Sequence, residues 1–112
     1  MRIAASVVII AALTVSAVAE GFSVRISDIE LRSCATWLAN PSSETEGGGW
    51  IIGFWAGTNY GAALAGQGRN VGVSTDVFDI IGEVKRRCLN NPANTLMREA
   101  VGLYLEFERA GK

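Results

Sequence analysis

Histidine is absent from the chain and cysteine occurs only twice, as Cys34 and Cys88. Without an imidazole, Ser-His-Asp and Cys-His nucleophilic schemes have no base. Two thiols with no histidine also fall short of the four ligands that structural zinc takes. A basic excess is missing as well: ten Lys and Arg stand against eleven Asp and Glu, which gives no electrostatic footprint for nucleic acid. The one basic cluster, Lys85, Arg86 and Arg87, falls at the end of an expected helix, where cations favour the dipole. Asp76 with Asp79, or Glu44 with Glu46, could be proposed as the paired carboxylates of a hydrolase. Each pair has a simpler role, at a helix start or in a wet loop. No internal repeat or low-complexity tract is present. These absences lead us to expect a non-enzymatic protein with no cofactor and no metal.

The N-terminal stretch sets the expected compartment. Residues 1–19 carry one positive charge at Arg2, an apolar run over 3–15, and small residues at Ala17 and Ala19 before Glu20. That is the pattern of a cleaved secretory signal peptide, and the run is short for a membrane span of about 20 residues. The remaining 93 residues, 20–112, make one small domain with a modest core. A cysteine pair in an exported chain is expected to form one disulfide, Cys34 to Cys88. By the chain-entropy model it contributes about 4 kcal/mol.

The most apolar stretch after the N-terminus is WIIGFWAGTNYGAAL, residues 50–64, which holds two of the three tryptophans. Gly53, Gly57 and Gly61 recur every four residues, so on a helix they share one face and leave a groove for close backbone approach. Each costs roughly 1 kcal/mol against Ala in a helix interior, so a tight contact should repay it, within the chain or across a homodimer. Such spacing also serves transmembrane dimers. The stretch is short for a span, and Thr58 and Asn59 interrupt it, so stable membrane insertion is not expected. Trp50, Trp55 and Tyr60 are candidate partner contacts, because Trp and Tyr anchor interfaces. Trp50 and Trp55 lie about 140° apart on a helix, so one is expected in the core and the other is the better candidate.

Around this stretch the periodicity predicts four helices, at about 27–39, 48–65, 75–89 and 95–109. Phe22, Val24 and Ile26 suggest an extended lead-in or short edge strand. Ser27 with Glu30 fits a capping box, and Asn40 before Pro41 is a stop. Residues 41–49 have the Pro, Ser, Glu and Gly composition of an exposed connection. Gly66, Gly68 and Gly72 end the second helix, and the GQGRNVG string after it reads as a plain loop, because it follows a helix and not a strand. Ser74 or Thr75 is placed to cap the third helix, whose stripe is Val77, Ile80, Ile81, Val84 and Cys88. Glu83 can reach Arg87 on its outer face. In the last helix Leu96, Ala100, Leu103 and Phe107 form one stripe and Met97, Val101 and Tyr104 a second, as if packed on two sides. The expected fold is a small all-α four-helix bundle with one disulfide.

These features resemble the HdeA/HdeB-like family of small periplasmic helical proteins. The resemblance rests on Cys34 in the first helix, the W-x-x-G-x-x-x-G of Trp50, Gly53 and Gly57, and above all the CLNNPANTL of residues 88–96, and it covers roughly residues 27–105. The glycine-rich middle departs from the best-known acid-stress chaperones of the family. A related arrangement is found in immunity proteins that neutralise secreted toxins. What the resemblance implies is an acid-responsive chaperone: a dimer near neutral pH that loosens in acid and offers apolar surface to unfolded clients. The alternative is a protein that binds one dedicated envelope or toxin partner.

Overall fold

The computed structural model describes residues 28–68 and 70–112. The expected leader over 1–19, the lead-in with Phe22, Val24 and Ile26, and the capping serine Ser27 lie outside the described residues. The described chain is all-helical: a 3-10 turn at Ile29–Leu31, then α1 (Cys34–Trp37), α2 (Pro41–Leu64), α3 (Val77–Asn90) and α4 (Leu96–Ala110). It is a small disulfide-bonded bundle, with α3 against α4, α1 against α2 and α3, and the 3-10 turn on α2 and α4.

Two departures from the expected helices have clear causes. The helix anticipated over about 27–39 is broken into the 3-10 turn and the single turn α1. Backbone pairing with the chain before α4 competes there: the Cys34 amide donates to Asn94 O at 2.7 Å, Ala35 to Pro92 O at 3.0 Å, and the Leu96 amide to Arg32 O at 3.1 Å. Ser33 and Thr95 form an isolated antiparallel bridge within this pairing. The second departure is that residues 41–49, expected as an exposed connection, are the first turns of α2. Pro41 occupies the first helical turn, and the Asn40 Oδ1 accepts from the Ser43 amide at 2.9 Å, a strong start for a helix.

Of the glycines at 47–49, Gly47 has a packing reason to be glycine. The Trp37 indole N–H donates to the carbonyl of Glu44 at 3.1 Å, and its ring lies where a Cβ of residue 47 would be. A helix carrying any side chain there could not take the tryptophan, which is fully buried.

Further along, α2 ends at Ala65, and Gly66, Gly68 and Gly72 all hold positive φ, the region that favours glycine. Asp76, and not Ser74 or Thr75, caps α3, its Oδ1 accepting from the Phe78 amide at 2.8 Å. Thr95 caps α4 through the Arg98 amide. At the far end Gly111, at φ 71°, gives α4 a left-handed cap, and Lys112 N donates back to Phe107 O at 2.9 Å.

The core runs from Ile29 and Trp37 at one end to Trp55, Tyr104 and Phe107 at the other. Cys34 and Cys88 are bonded within it, with Cα atoms 5.0 Å apart, joining α1 to the end of α3. The first stripe of α4 is buried as expected. Of the second only Tyr104 is, while Met97 is exposed and Val101 is at the margin, so α4 packs on one broad side.

Candidate functional site

Helix α2 carries the surface that stands out. Residues 47–68 contain no charged side chain, yet much of that stretch faces outward. Gly53, Gly57 and Gly61 are exposed, and among the described residues nothing lies within 4 Å of a Cβ built at any of them. The close helix approach expected for this row is therefore not made inside the described chain. Tyr60 and Leu64 project from the same arc of the helix, 68% and 71% exposed. Of the two tryptophans, Trp55 is the buried one, and Trp50 is half-exposed, stacked on Phe54 with centroids 5.2 Å apart. Trp50 and Tyr60 thus remain candidate contacts, whereas Trp55 belongs to the core and meets Tyr104 and Phe107 edge-on at 5.0 and 5.6 Å.

On the α3 side of α2 lies an apolar cleft of about 240 Å³ lined by Ile51, Ile52, Trp55, Val73, Val77 and Ile80, among others. Ile52 and Val73 are exposed at its edge, and Phe78, next to Val77, is 76% exposed. Residues 70–73 form one wall and are held by a hydrogen-bonded cluster. The Val71 amide donates to Asn59 Oδ1 at 3.2 Å, and its carbonyl accepts from Asn59 Nδ2 at 3.0 Å and Trp55 Nε1 at 2.8 Å. The Tyr104 hydroxyl donates to the same Asn59 Oδ1 at 2.7 Å. Burial, and secondarily the negative charge of Glu108, raises the Tyr104 pKa above the usual phenol value, so this hydroxyl is a donor throughout the neutral range. In the sequence Asn59 interrupts the apolar run. A carboxamide in the middle of an otherwise apolar helix was the available signal that a backbone segment must be bound there.

Three of the ion pairs tie helices together. Lys85 pairs with Glu44 across α3 and α2 at 2.6 Å. Arg87 does not pair with Glu83, which takes Arg86 at 2.8 Å instead. Arg87 reaches α4, contacting Glu99 at 3.1 Å and Glu106 at 2.7 Å, and the second oxygen of buried Glu99 accepts from Asn94 Nδ2 at 2.7 Å. Gly102 leaves room for the guanidinium, which occupies the position of its missing Cβ. Glu99 and Glu106 seven residues apart with a glycine between them were the legible sign of such a seat. One carboxylate of each proposed hydrolase pair has a structural role: Glu44 holds Lys85 and Asp76 caps α3. Among the described residues no group of His, Cys, Asp and Glu is arranged to hold a metal ion, and no helix is long and apolar enough to cross a membrane.

No protein-family model matches the chain, and no curated protein or solved structure is significantly similar to it.

Proposed function

We propose that the chain is an exported, periplasmic, non-enzymatic protein that binds other polypeptides, acting as an acid-stress chaperone of the HdeA type. The observation that carries this reading is the uncharged outer face of α2, where Tyr60 and Leu64 protrude beside an open glycine row. Apolar surface without charge is suited to polypeptide contact. The disulfide supports the oxidising compartment, and residues 1–19 supply the export signal.

Acid acts on such a molecule through its ion pairs. Carboxylates that bridge helices, Glu44 to α3 and Glu99 and Glu106 to α3 from α4, lose their charge when protonated. With all carboxylates neutral the chain after residue 19 keeps nine Lys and Arg charges, which repel one another while the disulfide limits expansion. The test is light scattering of an acid-denatured client with and without the purified chain, alongside size and tryptophan fluorescence from pH 7 to pH 2. Suppressed aggregation together with loosening near pH 2 to 3 supports the reading. A chain that neither loosens nor protects the client refutes it.

The rival, a dedicated partner such as a secreted toxin or envelope complex, draws on the same glycine row. A row with nothing within 4 Å among the described residues can accept a partner helix at neutral pH. One stoichiometric partner recovered at neutral pH favours this rival, and acid-dependent binding of unrelated clients disfavours it.

A further inference from the structure

We propose that the cleft between α2, α3 and residues 70–75 is a binding site for one short, uncharged alkyl chain, carried by a small amphiphile whose polar end stays in solvent. No charged side chain lines the cleft, so whatever enters it must leave any charge outside. Its walls are mainly branched aliphatics, Ile51, Ile52, Val73, Val77 and Ile80. The one aromatic in the lining, Trp55, already meets Tyr104 and Phe107 edge-on, so a ring finds no dedicated partner while an alkyl chain conforms to the walls. A dry apolar cavity of about 150 Å³ takes benzene. At about 240 Å³ this cleft has room for a chain of about six to eight carbons.

The polar groups of the lining are turned to internal use. Val71 spends its N–H on Asn59 Oδ1, and its carbonyl takes both Asn59 Nδ2 and Trp55 Nε1. Asn59 Oδ1 also accepts from Tyr104, which fills its two lone pairs. Beyond these, the lining offers one N–H of Asn59 and the side chains of exposed Asn70 and of Thr75. Water needs two to four polar partners to sit well in such a space, and a peptide backbone brings N–H and C=O groups that must each be paired. These walls serve neither, whereas a hydrocarbon displaces poorly bonded water at a gain.

The cleft is also held open. Val71 is 3% exposed within the core cluster, and a Cβ at Gly72 would stand 2.9 Å from Trp55 Nε1 and 3.3 Å from Ile80 Cδ1, so residues 71 and 72 are already seated against α2 and α3. Helix α3 is fixed in turn by the disulfide at Cys88 and by Lys85 on Glu44. A void between fixed walls is filled by a guest without reorganisation. None of Gly53, Gly57 and Gly61 lines the cleft, so the site stands apart from the protein-binding reading.

Methyl NMR of the full chain titrated with n-hexyl β-glucoside, and with methyl β-glucoside as the control for the sugar, tests the proposal. The hexyl compound should give saturable shifts at Ile51, Val77 and Ile80 and none at the exposed Leu31 and Leu64, and the methyl compound should give none at all. Affinity should rise about 3- to 4-fold per added methylene and level off at about eight carbons, when the cleft is full. Ala56→Leu adds a side chain to the lining and should weaken binding at least 10-fold while the thermal midpoint holds. Shifts that never saturate, that reach Leu31 and Leu64 alike, or that survive Ala56→Leu overturn the proposal. Tighter binding of phenyl β-glucoside than of the hexyl compound overturns the choice of an alkyl chain. Should the variant not fold, the chain-length series on the unsubstituted protein decides alone: an affinity indifferent to chain length, or one that rises without levelling off, refutes the site.

Discussion

The indole of Trp37 lies in the space that a side chain at Gly47 would fill. The contact joins the end of α1 to the second turn of α2, and the bond from Trp37 Nε1 to Glu44 O holds it in register. Gly47→Ala must push the ring away, because the obstacle is a fully buried aromatic with no free end to swing. The expected cost is about 2 to 4 kcal/mol, from overpacking and the loss of a buried hydrogen bond. A urea midpoint unchanged from the parent's would show that the ring has another seat.

Gly57→Leu tests the opposite situation, since nothing among the described residues opposes a side chain there. The thermal midpoint of the monomer should hold or rise, given that glycine costs up to about 1 kcal/mol against a good helix former in a helix interior. If α2 pairs with a second copy through this face, sedimentation of the parent will show a dimer and the variant will not form it. A lower midpoint in a strictly monomeric protein would mean that the face is covered after all.

The difference between these two glycines marks where sequence reasoning reached its limit. Spacing alone selected Gly53, Gly57 and Gly61, because a four-residue recurrence is visible in one dimension. Gly47, Gly72 and Gly102 are the positions where a Cβ collides, with Trp37, Trp55 and Arg87, and each collision depends on a partner 10 to 17 residues away in sequence. The amphipathic stripe of α3, the first stripe of α4, and the disulfide between Cys34 and Cys88 were legible because periodicity and compartment specify them. The start of α2 was not. Pro, Ser and Gly have loop composition, and only the cap at Asn40 and the seat for Trp37 make them helical. Of the candidate site, the apolar run is visible in the sequence, but the exposure of its glycine row and the role of Asn59, which needs Val71 and Tyr104 beside it, are not.

Glu99→Ala should lower stability by about 2 to 3 kcal/mol in urea denaturation at neutral pH. The substitution leaves Arg87, itself mostly covered, with Glu106 alone, and removes the acceptor of Asn94. Breaking a buried pair by deleting one partner costs more than the pair contributes, because the remaining charge stays desolvated. Glu83→Ala is the control. Its pair with Arg86 is exposed, and a loss within about 0.5 kcal/mol is expected. Equal losses in the two variants would show that Glu99 is better solvated than its burial indicates.

Tyr104 predicts how stability responds to alkali. Its folded-state pKa is raised, chiefly by burial and further by Glu108, and its protonated hydroxyl is the donor to Asn59. For a group raised on folding, the contribution is complete below the unfolded value of about 10. Above that pH the unfolded chain gives up the proton first, so stability falls with a slope of up to about 1.4 kcal/mol per pH unit until the native hydroxyl also ionises. Tyr104→Phe should be about 1 kcal/mol less stable than the parent at pH 8, because Asn59 loses one donor. From pH 10 upward the gap should close, since the variant has no phenol to titrate at this position. Denaturation curves of both proteins at half-unit steps from pH 8 to pH 11 measure it, and the difference between them removes the common contribution of lysines and the other tyrosine. A gap that stays constant across that range would mean that the Tyr104 hydroxyl ionises alike in the folded and unfolded chain, and that burial does not hold it protonated as a latch on Asn59.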